Sequence, residues 1–160
     1  MKNYLGIDNG TSGSCGIVFG DNSPAIYFHT PIKVELSYTK TKQNISRIDF
    51  DRLKKDLSIL RIDKAVIERP MINPGRFKAT MSAMRSLEAT QIILEQLKIP
   101  YEFIDSKQWQ KALLPAGLEK EELKSASLQI GKRLFPHIDF NSFNDADGLL
   151  LAEFARKISL

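Results

Sequence analysis

Acidic residues stand at three points of this sequence where a carboxylate can do chemistry. Asp8 ends a short apolar run and is followed at once by a turn rich in Gly, Thr and Ser. Glu68 ends a second apolar run, and Asp147 opens the apolar segment 149–152, with Asp145 two residues before it. Taken singly, each has an ordinary explanation as a turn former, an ion-pair partner or a helix cap. Their recurrence at element ends favours a shared site.

Convergence of these acids would make a metal site. Carboxylates gathered together repel one another unless cations lie among them, and hard oxygen ligands suit Mg²⁺ or Mn²⁺. Two such ions about 3.5–4 Å apart activate a water and stabilise the leaving oxygen of a phosphodiester. The acids therefore indicate metal-dependent phosphodiester hydrolysis with two ions per active site.

The elements that must position these acids can be predicted from the apolar spacing. We predict strands at 4–8, 14–20, 25–29, 64–68 and 101–104, and helices at 49–60, 79–97, 106–114, 119–135 and from Asp147 to 158. The first three strands form an antiparallel meander, whereas the strand–helix–strand passage from 49 to 68 favours a parallel pair. Parallel pairing brings Asp8 and Glu68 to the same sheet edge.

One predicted loop combines basic and large apolar side chains. Residues 71–78 include Met71, Arg76, Phe77 and Lys78 around a Pro-Gly pair. Such apolar side chains either stack on or wedge between nucleic-acid bases, or fold back onto the domain.

The predicted helix at 119–135 places two lysines beside small residues. Lys120, Lys124, Ser127 and Gly131 share one of its faces. This face suits the approach of a phosphate backbone, although a solvated helix face has the same composition.

Two further stretches are predicted without a firm role. Residues 37–47 are polar and basic and lack an apolar period, so we expect an exposed connecting loop. The helix at 79–97 carries a stripe of small residues and, on another face, a second stripe of larger side chains. The second stripe faces either the core or a partner subunit and consists of Met84, Leu87, Gln91 and Leu94.

Three segments together resemble the ribonuclease H-like superfamily and, within it, the RuvC-type Holliday junction resolvases. The segments are Leu5-Gly6-Ile7-Asp8-Asn9-Gly10, Ala65-Val66-Ile67-Glu68 and Asp145-Ala146-Asp147-Gly148-Leu149-Leu150-Leu151-Ala152. The likeness covers nearly the whole chain in the same element order, and we expect a phage or mobile-element member. It implies an α/β, ribonuclease H-like fold with a mixed five-stranded sheet, three antiparallel then two parallel strands, flanked by helices. Residues 1–160 would form a single RuvC-like nuclease domain.

The resemblance also implies an activity and assigns roles. It implies a homodimer that resolves four-way DNA junctions with Mg²⁺ or Mn²⁺ held by Asp8, Glu68 and Asp147. Lys124 and Lys111 match in position the lysines that approach the phosphate in that family. A bulky residue after the catalytic Glu reaches the junction centre there, which corresponds to Met71 or Phe77 in this chain.

The fourth ligand is where the sequence departs from the family pattern. That ligand often lies three residues before the last Asp, a position held here by Asn144. Asn144 can ligate through its carbonyl oxygen, or Asp145 can turn towards the site if the helix begins later. The sequence leaves both choices open.

Rival functions share parts of the same pattern. Residues 6–12 also look like the first phosphate loop of sugar kinases and actin-like ATPases, but those enzymes need two lobes and a second glycine-rich loop. That function also leaves Glu68 and the acids near the C-terminus unexplained. A catalytically inactive nucleic-acid-binding module conflicts with three acids on a face that would repel DNA. A related nuclease acting on another structured nucleic acid remains open.

Composition bounds the remaining possibilities. With 160 residues, 42% hydrophobic and 26% charged, the chain is typical of one globular domain. Its net charge of +4 is compatible with a polyanionic partner. A single Cys, the lack of an export leader and the lack of a long apolar run predict a cytoplasmic protein with no membrane partner. The resemblance implies that the cell is bacterial or phage-infected.

Overall fold

The computed structural model describes residues 1–158. Its strands are β1 (Tyr4–Asp8), β2 (Ser14–Val18), β3 (Ile26–His29), β4 (Ile32–Leu36), β5 (Asn44–Ile48), β6 (Lys64–Glu68) and β7 (Tyr101–Ile104). Its helices are α1 (Phe50–Ser58), α2 (Phe77–Gln96), α3 (Ser106–Leu113), α4 (Leu123–Leu134) and α5 (Asp147–Lys157), and a short 3₁₀ helix (Pro74–Arg76) precedes α2. None of the helices in this part of the chain is long and apolar enough to cross a membrane.

The main sheet has five strands in the order β3-β2-β1-β6-β7. Strand β2 pairs antiparallel with both β3 and β1, whereas β6 pairs parallel with both β1 and β7. The predicted mixed sheet is therefore confirmed. In the β1–β6 register Ile7 lies beside Ile67, which brings the next residues, Asp8 and Glu68, to the same edge.

The two faces of this sheet carry different helices. Alternation along β1 sends Leu5 and Ile7 to one face, where α1 and α2 cover them, and we call it the α2 face. Tyr4 and Gly6 lie on the other face, which α3, α4 and α5 cover, and we call it the α5 face. Asp8 follows the same alternation and belongs to the α5 face.

Helix α5 lies unusually close to the sheet. Gly6 and Gly16 are paired across β1 and β2 beneath it. A Cβ on Gly6 would lie 2.1 Å from the Gly148 carbonyl oxygen, and one on Gly16 would lie 2.3 Å from Leu149 Cα. Because no side chain separates them, backbone packs on backbone, and residues 148–155 are all buried.

A second, two-stranded sheet corrects one prediction. Residues 44–48 form β5, which pairs with β4 in an antiparallel hairpin, so the loop predicted over 37–47 is wrong for its second half. The strand pattern was missed because most side chains of both strands are exposed or half-exposed, which leaves no apolar period. Only residues 37–43 form the connecting tip, closed by a hydrogen bond from the Ser37 amide to the Gln43 carbonyl.

Two helix starts also differ from prediction. Helix α2 begins at Phe77, so Phe77 and Lys78 are helical rather than part of a loop, because the 3₁₀ turn capped by the Asn73 side chain leads directly into the helix. Helix α4 begins at Leu123, which leaves Lys120 in the preceding turn. There the Glu119 amide donates to the Glu122 carboxylate, and this contact stabilises the turn.

The two leucines of the predicted stripe on α2 belong to the core, whereas Met84 of the same stripe is exposed. Leu87 and Leu94 are buried within the chain, so the partner-facing alternative is wrong for them. The reason is that α2 packs on the sheet with this side, together with Ile93. The large apolar side chains that α2 exposes are Phe77, Met81, Met84 and Ile92.

Candidate active site

Three aspartates from separate parts of the chain meet at the edge of the sheet. Asp8 is the last residue of β1, Asp147 is the first of α5, and Asp145 lies in the connection just before α5. One carboxylate oxygen from each lies within 4.8 Å of the others. All three residues are partly buried, so the cluster opens to solvent on one side.

The start of α5 is held against β2 by hydroxyl groups. The Gly148 amide donates to Ser14 Oγ at 3.3 Å, and a Cβ on Gly148 would lie 2.7 Å from the Ser14 carbonyl oxygen. The Tyr27 hydroxyl lies 2.9 Å from Ser14 Oγ and 3.2 Å from the Asp145 carbonyl oxygen. These contacts position Asp145, which precedes α5, and Asp147, which begins it.

Helix α4 supplies a further support for Asp147. Ser127 is buried, its hydroxyl donates to Asp147 Oδ1, and it accepts from the Ala146 amide at 3.0 Å. A Cβ on Gly131 would lie 2.4 Å from Ala146 Cβ. The prediction that Ser127 and Gly131 form an exposed face beside the lysines is therefore wrong, because α4 packs against the start of α5 with these small residues.

Glu68 borders the aspartate cluster at the end of β6. Its Oε2 accepts a hydrogen bond of 3.1 Å from the Trp109 indole N–H. Trp109 lies in α3 and is fully buried, so its ring packs in the core while its N–H is bonded to Glu68. The close group of oxygens within 4.8 Å does not include Glu68, although it interacts electrostatically with Asp147 and Asp145.

The electrostatics of the site favour a bound cation. Burial, reinforced by Asp147 and Glu68, raises the pKa of Asp8 well above its usual range. Burial raises the pKa of Glu68 to about 7 against the Trp109 hydrogen bond, and burial with Asp145 raises the pKa of Asp147 to about 6. A cation among these oxygens would replace the protons that the free site retains near neutral pH.

The predicted lysines occupy different positions around the acids. Lys124 lies in the first turn of α4, with Nζ 3.3 Å from Asp145 Oδ2 and most of its side chain exposed. Lys111 is exposed in the last turn of α3, and Lys120 is exposed in the turn before α4. Among the contacts of residues 1–158, only Lys124 of these three reaches the cluster.

The structure bears on the choice between Asn144 and Asp145. Helix α5 begins at Asp147, so Asp145 is not helical and its side chain turns into the cluster, where Oδ1 also accepts from the Asp147 amide at 3.3 Å. Asn144 is exposed in the preceding loop.

The predicted DNA-contacting segment stands away from the core. Met71, Arg76, Phe77 and Lys78 are all exposed, so the alternative that these apolar side chains fold back onto the domain is wrong. No contact between them and the acid cluster is found within residues 1–158.

Sequence reasoning missed the hydroxyl supports of the site. Ser14 and Tyr27 lie on neighbouring antiparallel strands and face α5, and Ser127 reaches it from α4. No local pattern marks these residues, since each acts on a partner more than ten residues away in the sequence.

Comparison with known proteins yields a structural likeness only. No protein-family model and no curated protein matches the sequence. The structure is similar to that of Thermus thermophilus RuvC in complex with a Holliday junction substrate, with a TM-score of 0.69 at 14% identity, covering 99% of this chain and 95% of that chain. A second structure of T. thermophilus RuvC gives a TM-score of 0.59 at 14% identity, covering 98% and 96%.

The likeness settles the fold question. The TM-score of 0.69 shows a shared fold. Because the sequences are only 14% identical, a phage or mobile-element source stays a prediction. The ribonuclease H-like architecture predicted from three short segments is confirmed, and this chain has the fold of RuvC over nearly its whole described length.

Proposed function

We propose that this protein is a metal-dependent endonuclease that cleaves phosphodiester bonds in branched DNA, with four-way junctions as its principal substrate. The observation that carries the proposal is the meeting of Asp8, Asp145 and Asp147 within 4.8 Å. It is supported by the shared fold with RuvC, which one solved structure shows with a Holliday junction substrate. Residues 1–160 act as one nuclease domain in this proposal.

The acid cluster suits a hard divalent cation. Its donor set consists of carboxylate oxygens, and burial together with the neighbouring acids raises the pKa of Asp8 and of Asp147. A bound cation would favour the charged forms of these two carboxylates. We assign Asp8, Asp145, Asp147 and Glu68 as ligands, with Asp145 preferred over the exposed Asn144. Bound Mg²⁺ or Mn²⁺, as two ions, supplies activation of a water and stabilisation of the leaving oxygen.

Neighbouring side chains orient these ligands and receive the substrate. Ser127 fixes one oxygen of Asp147, and the Trp109 N–H fixes one oxygen of Glu68. Lys124 keeps an exposed ammonium beside Asp145, where it can bind the phosphate at the point of cleavage. Lys111 and Lys120 contact the flanking backbone in this proposal, and the segment from Met71 to Lys78 contacts the centre of the junction.

We also propose a homodimer with two active sites. Helix α2 exposes Met81, Met84 and Ile92, which share one side of the helix and form the apolar stripe for such a contact. Sedimentation analysis of the wild type tests this, and a monomer at all concentrations would contradict it.

Cleavage of defined DNA tests the proposed activity. The protein is incubated with a labelled four-way junction and with a linear duplex of the same sequence, each with and without Mg²⁺. We expect the junction to be cut only with the cation. Asp8→Asn and Glu68→Gln should each reduce the rate by about 10²-fold or more, since they remove a charged ligand.

Matched controls separate the site from general charge effects. Asp51→Asn and Glu121→Gln remove exposed acids elsewhere and should leave the rate unchanged. If neither Asp8→Asn nor Glu68→Gln alters the products, the site assignment is wrong. Magnesium-dependent ATP turnover with a sugar, and no cutting, would support the kinase alternative instead.

A further inference from the structure

A groove separates the β4–β5 hairpin from the first turns of α2. Its volume is about 490 Å³. The hairpin contributes Tyr38 and polar neighbours to one wall, and α2 contributes Phe77, Lys78 and Arg85 to the other. Thr11, from the turn after β1, lines the same groove. None of Asp8, Asp145 and Asp147 lines this groove, so the groove is a separate feature of the surface.

The groove is bordered by positive charge without compensating acids. Residues 36–48 and residues 69–87 contain several Lys and Arg residues and no Asp or Glu. Within residues 1–158, Lys40, Lys42 and Lys78 have no ion-pair partner, in contrast to Arg47, which pairs with Glu35. Lys78 lines the groove, and Lys40 and Lys42 lie between its lining residues Thr39 and Gln43 in the sequence. Unpaired lysines beside a concave surface attract a polyanion.

Exposed aromatic rings stand at the same groove. Tyr38 is 80% exposed and Phe77 is 70% exposed, on opposite walls. The Tyr38 hydroxyl makes no hydrogen bond within the described chain, so its position is not explained by an internal contact. Aromatic rings interleaved with lysines form the kind of surface that stacks bases while cations track the phosphates.

The groove is continuous with the loop that leaves the aspartate cluster. Thr11 lies three residues after Asp8. Between them, the Asn9 side chain donates to the Ala83 carbonyl of α2 at 3.1 Å, which fastens this loop to the wall of the groove. The loop that begins after Asp8 therefore links the aspartate cluster to a lining residue of the groove within three residues of chain.

We propose that this groove binds one unpaired nucleic-acid strand, with bases stacked on Tyr38 and Phe77 and phosphates beside Lys40, Lys42 and Lys78. An unpaired strand is favoured over a duplex because stacking on a side chain requires free base faces, which paired DNA offers only at its ends. The proposal rests on the proposed function in one respect, since the bound strand is the one that leaves the cleavage site.

Binding of a single strand in the absence of cations tests the proposal apart from cleavage. The probe is a fluorescently labelled oligothymidine, titrated with protein in EDTA and followed by anisotropy. Tyr38→Ala should weaken binding about tenfold, whereas Tyr38→Phe, which keeps the ring, should bind like the wild type. Ile59→Ala is the matched control, because Ile59 is 77% exposed on a distant surface.

The lysines are tested through salt dependence. Replacing Lys40 and Lys42 together by alanine should reduce the slope of log affinity against log salt by about 1.4, since two phosphate contacts are lost. Lys55→Ala, at an exposed position of α1, should leave the slope unchanged.

Further outcomes keep this proposal distinct from the proposed function. If Tyr38→Ala binds the single strand with the affinity of the wild type, the proposed role of the groove is wrong, even if the wild type cuts junctions. Weakened strand binding by Tyr38→Ala with no junction cutting by the wild type supports the groove alone. If Tyr38→Ala changes the oligomeric mass of the protein but leaves its affinity for the single strand unchanged, the surface is a protein contact and the proposal is wrong.

Cross-linking tests the same contact without a variant. A single strand that carries 5-iodouracil, which reacts with stacked aromatic rings on irradiation, is bound to the wild-type protein. Adducts at Tyr38 or Phe77 support the proposal, and adducts confined to other aromatic residues overturn it.

Discussion

The two faces of the central sheet are packed in opposite ways. On the α2 face, large side chains such as Leu5, Ile17 and Ile67 fill the space between strands and helices. On the α5 face, Gly6 and Gly16 leave that space empty, and helix α5 rests on the strand backbones. The same alternation along β1 therefore produces an apolar core on one side and a helix in direct contact on the other.

This difference explains where the acids are. Close approach of α5 brings its first residue, Asp147, to the end of β1 and beside Asp8. Hydroxyl groups of Ser14 and Ser127 then satisfy the backbone and fix a carboxylate at the helix start. Packing on the α2 face requires only apolar volume, whereas the site on the α5 face depends on the distance between helix α5 and the strand backbones. The predictions below test that contrast.

The largest effect is expected where the contact is closest. Gly6→Ala would place a methyl group 2.1 Å from the Gly148 carbonyl oxygen and 2.4 Å from the Ala152 amide nitrogen. Because both atoms are backbone, α5 must shift, and we expect a loss of about 3 kcal/mol or more in the free energy of unfolding. Cleavage by the folded fraction should also fall, since Asp147 moves with the helix. Urea denaturation and the junction assay measure the two effects.

The matching change on the α2 face is Ile17→Val. It removes one buried methyl group and should cost about 1 kcal/mol while cleavage by the folded protein stays at the wild-type level. Equal losses of activity in the two variants would show that the faces do not differ as described.

The pH dependence of stability should reveal the crowded carboxylates. Unfolded acids titrate near pH 4, whereas burial raises the pKa of Glu68 to about 7 and that of Asp147 to about 6 in the folded protein. The folded state then binds more protons between these values, so the free energy of unfolding without cations falls as pH rises from about 4 to about 7. Each pH unit between the folded and unfolded pKa values of one acid contributes about 1.4 kcal/mol, so we expect a fall on the order of 5 kcal/mol, measured by denaturation in EDTA.

Cations should reverse this trend. Mg²⁺ should stabilise the protein at pH 8, where the acids are charged, and have little effect at pH 5, where they hold protons. Glu68→Gln should flatten part of the pH dependence. A stability that is independent of pH in the cation-free wild type would contradict the raised pKa values.

The hydroxyl support gives a smaller, paired prediction. Ser127 on the α5 face and Ser86 on the α2 face are both buried, and Ser86 donates only to the Ser82 carbonyl of its own helix. Each change to alanine should cost about 1–2 kcal/mol of stability. Only Ser127→Ala should weaken Mg²⁺ binding, by about 10-fold or more, since Asp147 loses its orienting donor. Equal Mg²⁺ affinities in the two variants, measured by calorimetry, would remove Ser127 from the site.

The smallest effect concerns the indole above Glu68. Trp109→Phe removes the N–H that favours the charged carboxylate, so the pKa of Glu68 should rise further. The pH at which Mg²⁺ stabilisation is half complete should rise by about one unit. Tyr101→Phe, which removes a hydroxyl bonded to Gln91 and Glu95 elsewhere, is the control and should not move it.

Local patterns were sufficient for the elements of the main sheet and for the main acids. Strand β6 was predicted with its bounds, and the acid at its end followed from the apolar run before it. The β4–β5 hairpin was missed because its strands are stabilised by cross-strand hydrogen bonds rather than by an apolar face. Its basic tip was predicted as a solvated connection, and its position opposite α2 became visible only in the fold.

By itself the sequence determined the five strands of the main sheet and the presence of carboxylates at three element ends, because apolar periodicity and turn residues are local properties. The fold class followed from the resemblance of three short segments to a known superfamily. Only the tertiary structure showed that Asp145 lies beside Asp8 and Asp147 while Asn144 is exposed, and that Ser127 is buried rather than on the surface. Those outcomes depend on how closely α5 approaches β1 and β2. That distance is set by glycines in separate strands, whose contact no local pattern encodes.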